Sequence, residues 1–89
     1  MSERIGVAIL GSTGSIGAST LNVLQRHPDR FQIVALTAHR DIEALFQQCL
    51  THEPDVAVLA DAVAAEQLRE RLRAAGRSVE VLAGGAGLE

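Results

Sequence analysis

The sequence predicts an α/β fold built on a parallel sheet, and three observations predict it. Short apolar runs alternate with longer segments of helical spacing. The links between them are short. A glycine triplet, Gly11, Gly14 and Gly17, stands between the first apolar run and the first helical segment. Alternation of this kind places right-handed crossovers between parallel strands. The order β-α-β-α-β-α-β matches the first, mononucleotide-binding half of a doubly wound, Rossmann-like domain.

Each element has its own signal. "RIGVAIL" is short, apolar, β-branched and ended by glycine, which marks a buried strand. From Ser15 to about His27, the positions Ile16, Thr20, Val23, Leu24 and His27 form a helical stripe, and Pro28 stops the helix. Phe31 to Thr37 forms the second strand. Asp41 stands as N-cap of a second helix, with Glu43 in its first turn. Ile42, Leu45, Phe46 and Cys49 share one face of that helix, and Pro54 closes the unit. Asp55 to Ala60 is the third strand. Asp61 to Ala75 is the third helix, with Val63, Leu68, Leu72 and Ala75 inward and Gly76 as cap. Ser78 to Ala83 is the fourth strand, followed by "GGAGLE", whose last two residues are either natural or a cloning remnant.

Composition excludes several classes. The 89 residues make one domain or part of one, and the missing second half of the fold identifies 1–89 as the amino-terminal part. Net charge is −3, the eight basic residues form no stripe, and only two residues are aromatic. Nucleic acid is therefore not an expected partner. No apolar run is long enough for a membrane span, and no signal pattern opens the chain, so neither a membrane nor export is expected. A single cysteine, Cys49, forms no intrachain disulfide and fits a reducing cytoplasm. Every Lys/Arg position is Arg, so Schiff-base chemistry has no lysine here.

The glycines have a chemical purpose in this position. A dinucleotide pyrophosphate bound without metal needs unpaired N–H groups at a helix N-terminus and a backbone it can approach. Gly11, Gly14 and Gly17 suit the tight turn, the close approach and the helix–strand packing. Ser12, Thr13 and Ser15 add hydroxyl donors, and Ser15 also suits the N-cap. The bland reading is a tight βα turn alone; the place between first strand and first helix favours the phosphate.

The second strand's end selects the cofactor. NAD binders place a carboxylate about 20 residues beyond the glycines. Counting on from Gly17 reaches Thr37, which is uncharged, and then Ala38, His39 and Arg40. A guanidinium grips a 2′-phosphate that a carboxylate would repel. Arg40 is the expected 2′-phosphate ligand, with His39 bonding it or stacking near the adenine. Asp41 has two readings: the acid displaced by a few residues, or the N-cap. Its place immediately before the Ile42–Cys49 stripe favours the cap. His27, His52, Glu53, Cys49 and the Arg69/Arg71/Arg73 row take structural or solvated roles.

"GSTGSIGASTLNVL", "FQIVALTAHRDIEAL" and "EPDVAVLADA" together resemble the amino-terminal end of the 1-deoxy-D-xylulose 5-phosphate reductoisomerase family. The resemblance runs from about Ile5 to Leu82. It implies NADPH as cofactor and a divalent metal, Mg²⁺ or Mn²⁺, whose ligands lie outside this segment. It implies isomerisation and reduction of 1-deoxy-D-xylulose 5-phosphate to 2-C-methyl-D-erythritol 4-phosphate in non-mevalonate isoprenoid biosynthesis, by a cytoplasmic bacterial homodimer. By the same resemblance Thr13, Gly14, Ser15 and Ile16 hold NADPH, and His39, Arg40 and Asp41 form a second contact set. No catalytic or metal residue of the family falls within these residues, so this segment alone is not expected to be active. Two alternatives remain: another NADP-dependent reductase, such as a semialdehyde dehydrogenase with its cysteine beyond residue 89, or a non-catalytic nucleotide-binding regulatory module.

Overall fold

The computed structural model describes residues 4–84. Seven elements follow in order: β1 (Ile5–Ile9), α1 (Ser15–Leu24), β2 (Phe31–Ala38), α2 (Ile42–His52), β3 (Val56–Leu59), α3 (Ala62–Ala74) and β4 (Glu80–Ala83). The strands form one parallel sheet in the order β1-β2-β3-β4. The alternating, Rossmann-like half expected from the sequence is what the chain forms.

The strand order advances in one direction. Right-handed crossovers then carry all three helices to the same face. Burial agrees. Leu36, Ala57, Leu59 and Val81 join Leu21 of α1, Leu45 and Cys49 of α2, and Leu68 and Leu72 of α3 in one core cluster. On the opposite face Val56 and Val58 are only half-buried, and Leu82 is exposed. Register shifts between Val7 and Ala8, because Val7 pairs with Ile33 and Ala8 with Ala35, which leaves Val34 as a bulge.

Several expectations need correction. The inward stripe on α1 is only in part the expected one: Leu24 packs against the core, but Ile16 is 84% and Val23 53% exposed, while Gly17 and Leu21 are buried. On α3, Val63 and Ala75 point out, and Ala64 and Ala65 pack in beside Leu68 and Leu72. In both helices small residues face the sheet, because a short side chain lets the backbones come close. The first helix ends at Leu24 rather than near His27, and His27 closes a turn by donating its N–H to Leu24 O. β4 starts at Glu80, later than the expected Ser78. Residues 85–89, including the final Leu-Glu, lie outside the described residues.

Gly76 does terminate α3. At φ +73 it donates to Arg73 O while Arg77 N–H reaches Leu72 O, a Schellman closure. Cys49 is fully buried, as expected of a core residue, and burial pushes its thiol up to about 11.

Candidate functional site

The glycine loop connects β1 to α1 at the C-terminal ends of the strands. Gly11 has φ +66, a left-handed turn conformation that other residues adopt at a cost. Gly17 sits directly beneath that turn. A Cβ there would collide with Gly11 O and Ser12 Cα, so only glycine lets α1 start this close to the loop. Gly14 is different. Its backbone is extended, with φ −79 and ψ 170, and a Cβ would approach Gly11 O at only 3.4 Å. Of the three jobs, two are therefore demanded by the fold itself, and the fold hardly needs the third.

The loop is tied down from two sides. The end of β2 holds it through Thr37: Gly11 N–H donates to Thr37 Oγ1 at 3.0 Å, and Ser12 N–H donates to Thr37 O at 2.8 Å. Helix α2 holds it through Gln48, whose Nε2 donates to Ser12 O at 2.7 Å while its Oε1 accepts from Ser12 Oγ at 2.7 Å. Ser12 is fully buried. Its hydroxyl thus faces α2 and not a phosphate, which corrects the expectation for Ser12. Sequence reading also missed Gln48, since a contact across 36 positions leaves no local pattern.

What stays open is the start of α1. The N-cap is Gly14, not Ser15, and no side chain caps the helix. The first bond into α1 runs from Ala18 N–H to Gly14 O, at 2.9 Å. The amides of Ser15, Ile16 and Gly17 precede it, so helix geometry gives them no partner. Helices α2 and α3 differ in this. Asp41 accepts from Ala44 N–H at 3.1 Å, and Asp61 from Val63 N–H at 3.2 Å. The first turn of α1 also carries no acid. The result is a concentration of positive backbone potential facing an open groove lined by Leu10, Gly11, Gly14, Ser15, Ile16 and Thr20.

The second residue set follows β2. His39 and Arg40 are exposed just past Ala38. Thr37, two positions before His39, is the residue that holds Gly11 and Ser12. The tip of β2 and the glycine loop are thus neighbours at the same end of the sheet. His39 O accepts from Asp61 N–H at 3.1 Å, which fixes the backbone beside Arg40. Asp41 caps α2, as its place before the apolar stripe predicts. The arginine row on α3 is less idle than expected: Arg71 bonds Glu43 and lies 4.5 Å from the Phe46 ring centroid, and Arg69 donates to Val81 O at 2.7 Å.

A parallel sheet whose first βα turn is a glycine loop opening onto an uncapped helix defines a Rossmann-like α/β half. The family profile for 1-deoxy-D-xylulose 5-phosphate reductoisomerase matches residues 7–89. The chain belongs to that family. It is 54% identical over 89 residues to the 1-deoxy-D-xylulose 5-phosphate reductoisomerase of Nitrosomonas europaea, covering 100% of this chain and 22% of that protein. With the enzyme of the same name from Aromatoleum aromaticum it shares 60% identity over 78 residues, 88% of this chain and 19% of the relative. Among solved structures, the Zymomonas mobilis enzyme in complex with NADPH superposes with a TM-score of 0.87 at 42% identity, over 97% of this chain and 22% of that one. A reductoisomerase in complex with NADPH, fosmidomycin and magnesium gives 0.86 at 35% identity, over 93% and 20%. The chain therefore spans about a fifth of the length of the relatives it matches.

Proposed function

We propose that this chain, residues 1–89, is the amino-terminal, NADPH-binding part of a 1-deoxy-D-xylulose 5-phosphate reductoisomerase. The observation that carries the reading is the uncapped start of α1 behind a pinned glycine loop. The amides of Ser15, Ile16 and Gly17 take the pyrophosphate, and the Cβ-free Gly14 lets it come close. Thr13 and Ile16 line its approach. Arg40 pairs with the 2′-phosphate, with His39 beside it. The Asp41 carboxylate turns one oxygen to the Ala44 N–H of its own helix.

Bound here, NADPH would supply the reducing equivalent. The chain's own contribution is binding and orientation. Among the described residues no three His, Cys, Asp or Glu side chains are grouped to hold a metal ion. That protein acts on 1-deoxy-D-xylulose 5-phosphate, as a cytoplasmic homodimer. No helix among the described residues is long and apolar enough to cross a membrane.

Titration of the chain with NADPH and NADH tests the reading. NADPH should bind more tightly. Arg40→Ala should weaken NADPH by about 1.5–3 kcal/mol, the range for a hydrogen bond to a charged group, and leave NADH nearly unchanged. Equal losses for both nucleotides would remove Arg40 from the 2′-phosphate site.

A further inference from the structure

We infer that Gln48 is a positioning residue for the nucleotide loop, acting from α2 through Ser12 without touching the ligand. The inference rests on the reading of the loop as the pyrophosphate site.

The geometry is reciprocal. Gln48 uses both ends of its amide on one residue, donating to Ser12 O and accepting from Ser12 Oγ, each at 2.7 Å. Ser12 in turn spends its N–H on Thr37 O. Every polar group of Ser12 is therefore occupied, and the residue is fully buried. Gly11 is fixed in the same way: its N–H goes to Thr37 Oγ1, and its carbonyl accepts from Gly14 N–H at 3.0 Å. Gly11 O is also the atom that sets how closely Gly17 and the first turn of α1 can lie. The chain of contacts runs from Gln48 to Ser12, to Gly11, and then to the amides that face the groove.

Helix α2 has a second link to the site. Its N-cap, Asp41, directly follows Arg40. One helix thus sets the height of the pyrophosphate loop from its second turn and is preceded, just ahead of its N-cap, by the 2′-phosphate residue. Gln48 fixes the distance between the two anion sites, and Leu45 and Cys49, both fully buried on the same helix, keep α2 from shifting. A group that orients binding atoms without contacting the ligand commonly matters as much as a direct contact.

The test is Gln48→Leu, close in size but without polar ends, made in the full-length protein and measured beside the unsubstituted one. Affinities for NADPH, NADH and adenosine 2′-phosphate are read by calorimetry, with thermal melting as a control. NADPH and NADH should each weaken by about tenfold, the scale of two lost neutral hydrogen bonds. Adenosine 2′-phosphate, which has no pyrophosphate, should bind as before. Adding Ser12→Ala to Gln48→Leu should cost little more, since the two residues share the interaction. Amide exchange at Gly11 and Ser12, measured without nucleotide, should quicken at least tenfold while the core of α3 keeps its protection.

Unchanged NADPH affinity in Gln48→Leu, with Arg40→Ala still selective, overturns the positioning role and leaves the proposed function standing. Equal weakening of all three ligands also overturns it, since that is general loosening of the fold. An unsubstituted full-length protein that binds neither dinucleotide overturns both.

Discussion

A methyl group at Gly14 and one at Gly17 meet different surroundings, and this separates binding from folding residue by residue. At Gly17 the methyl would strike the loop backbone, which has no rotamer with which to yield. Gly17→Ala should cost about 2–3 kcal/mol or more in stability, read as a lowered urea midpoint. At Gly14 the backbone is already extended, so Gly14→Ala should cost only about 0.5–1 kcal/mol, the penalty of Ala at an N-cap, yet lose NADPH affinity. A Gly14→Ala chain that bound NADPH normally would show that no ligand approaches there. Cys49 gives a pH signature. Its ordinary pKa is 9.0 and burial raises it to about 11 in the fold. The folded chain therefore keeps a proton that the unfolded chain releases between those values. Stability is intact below pH about 9 and falls as pH rises towards about 11. Urea midpoints taken across that window should decline, and Cys49→Ala should flatten the trend while lowering the starting value. The glycines and the cysteine were legible in the sequence because each is a residue type with few other uses. The Ser12–Gln48 pair was not, since serine and glutamine serve anywhere on a surface.

At the scale of elements, the seven strands and helices were legible because each carries its own periodicity and its own stop. The inward faces of α1 and α3 were less so. Hydropathy favours Ile16 and Val63 over Gly17, Ala64 and Ala65, but packing against a sheet selects what fits. Asp41 caps α2 as the sequence implied, whereas Asp61, expected inside the third helix, stands before it as its N-cap. Asp61→Ala should destabilise by about 1 kcal/mol, the usual value of an N-cap, without changing nucleotide affinity. Between α2 and α3, Arg71 bonds Glu43 and stacks on Phe46. The hydrogen bond from Arg71, aided by its charge, holds the Glu43 carboxyl below its ordinary range. That ion pair is exposed, so its removal should shift melting only slightly. At the end of α2, Glu53 adopts φ 49, a left-handed conformation that suits glycine. Glu53→Gly relieves that strain and loses an exposed pair with Arg77, two small effects of opposite sign.

At the scale of the whole described segment, the sheet has two unequal sides. Local pattern could not reveal this, because every strand reads as apolar whichever face it turns to the helices, and the order of strands is set by contacts far apart in sequence. The asymmetry is measurable on adjacent residues of β3. Leu59→Ala removes a fully buried side chain and should cost about 2–5 kcal/mol. Val58→Ala, on the half-covered side, should cost less than about 1 kcal/mol. Equal losses would mean that the two sides are packed alike.

β1 is the outermost strand on its side of the described sheet. Within the described residues no strand flanks β1 there, so the first turn of α1, at the end of that strand, borders water in this segment. An anion resting there keeps part of its hydration shell, and small ions from the buffer compete for the same amides. Charge attraction at such a place is screened over about 8 Å at physiological ionic strength. Nucleotide affinity should therefore fall steadily as salt is added, and sulfate should displace the nucleotide at lower concentration than chloride does.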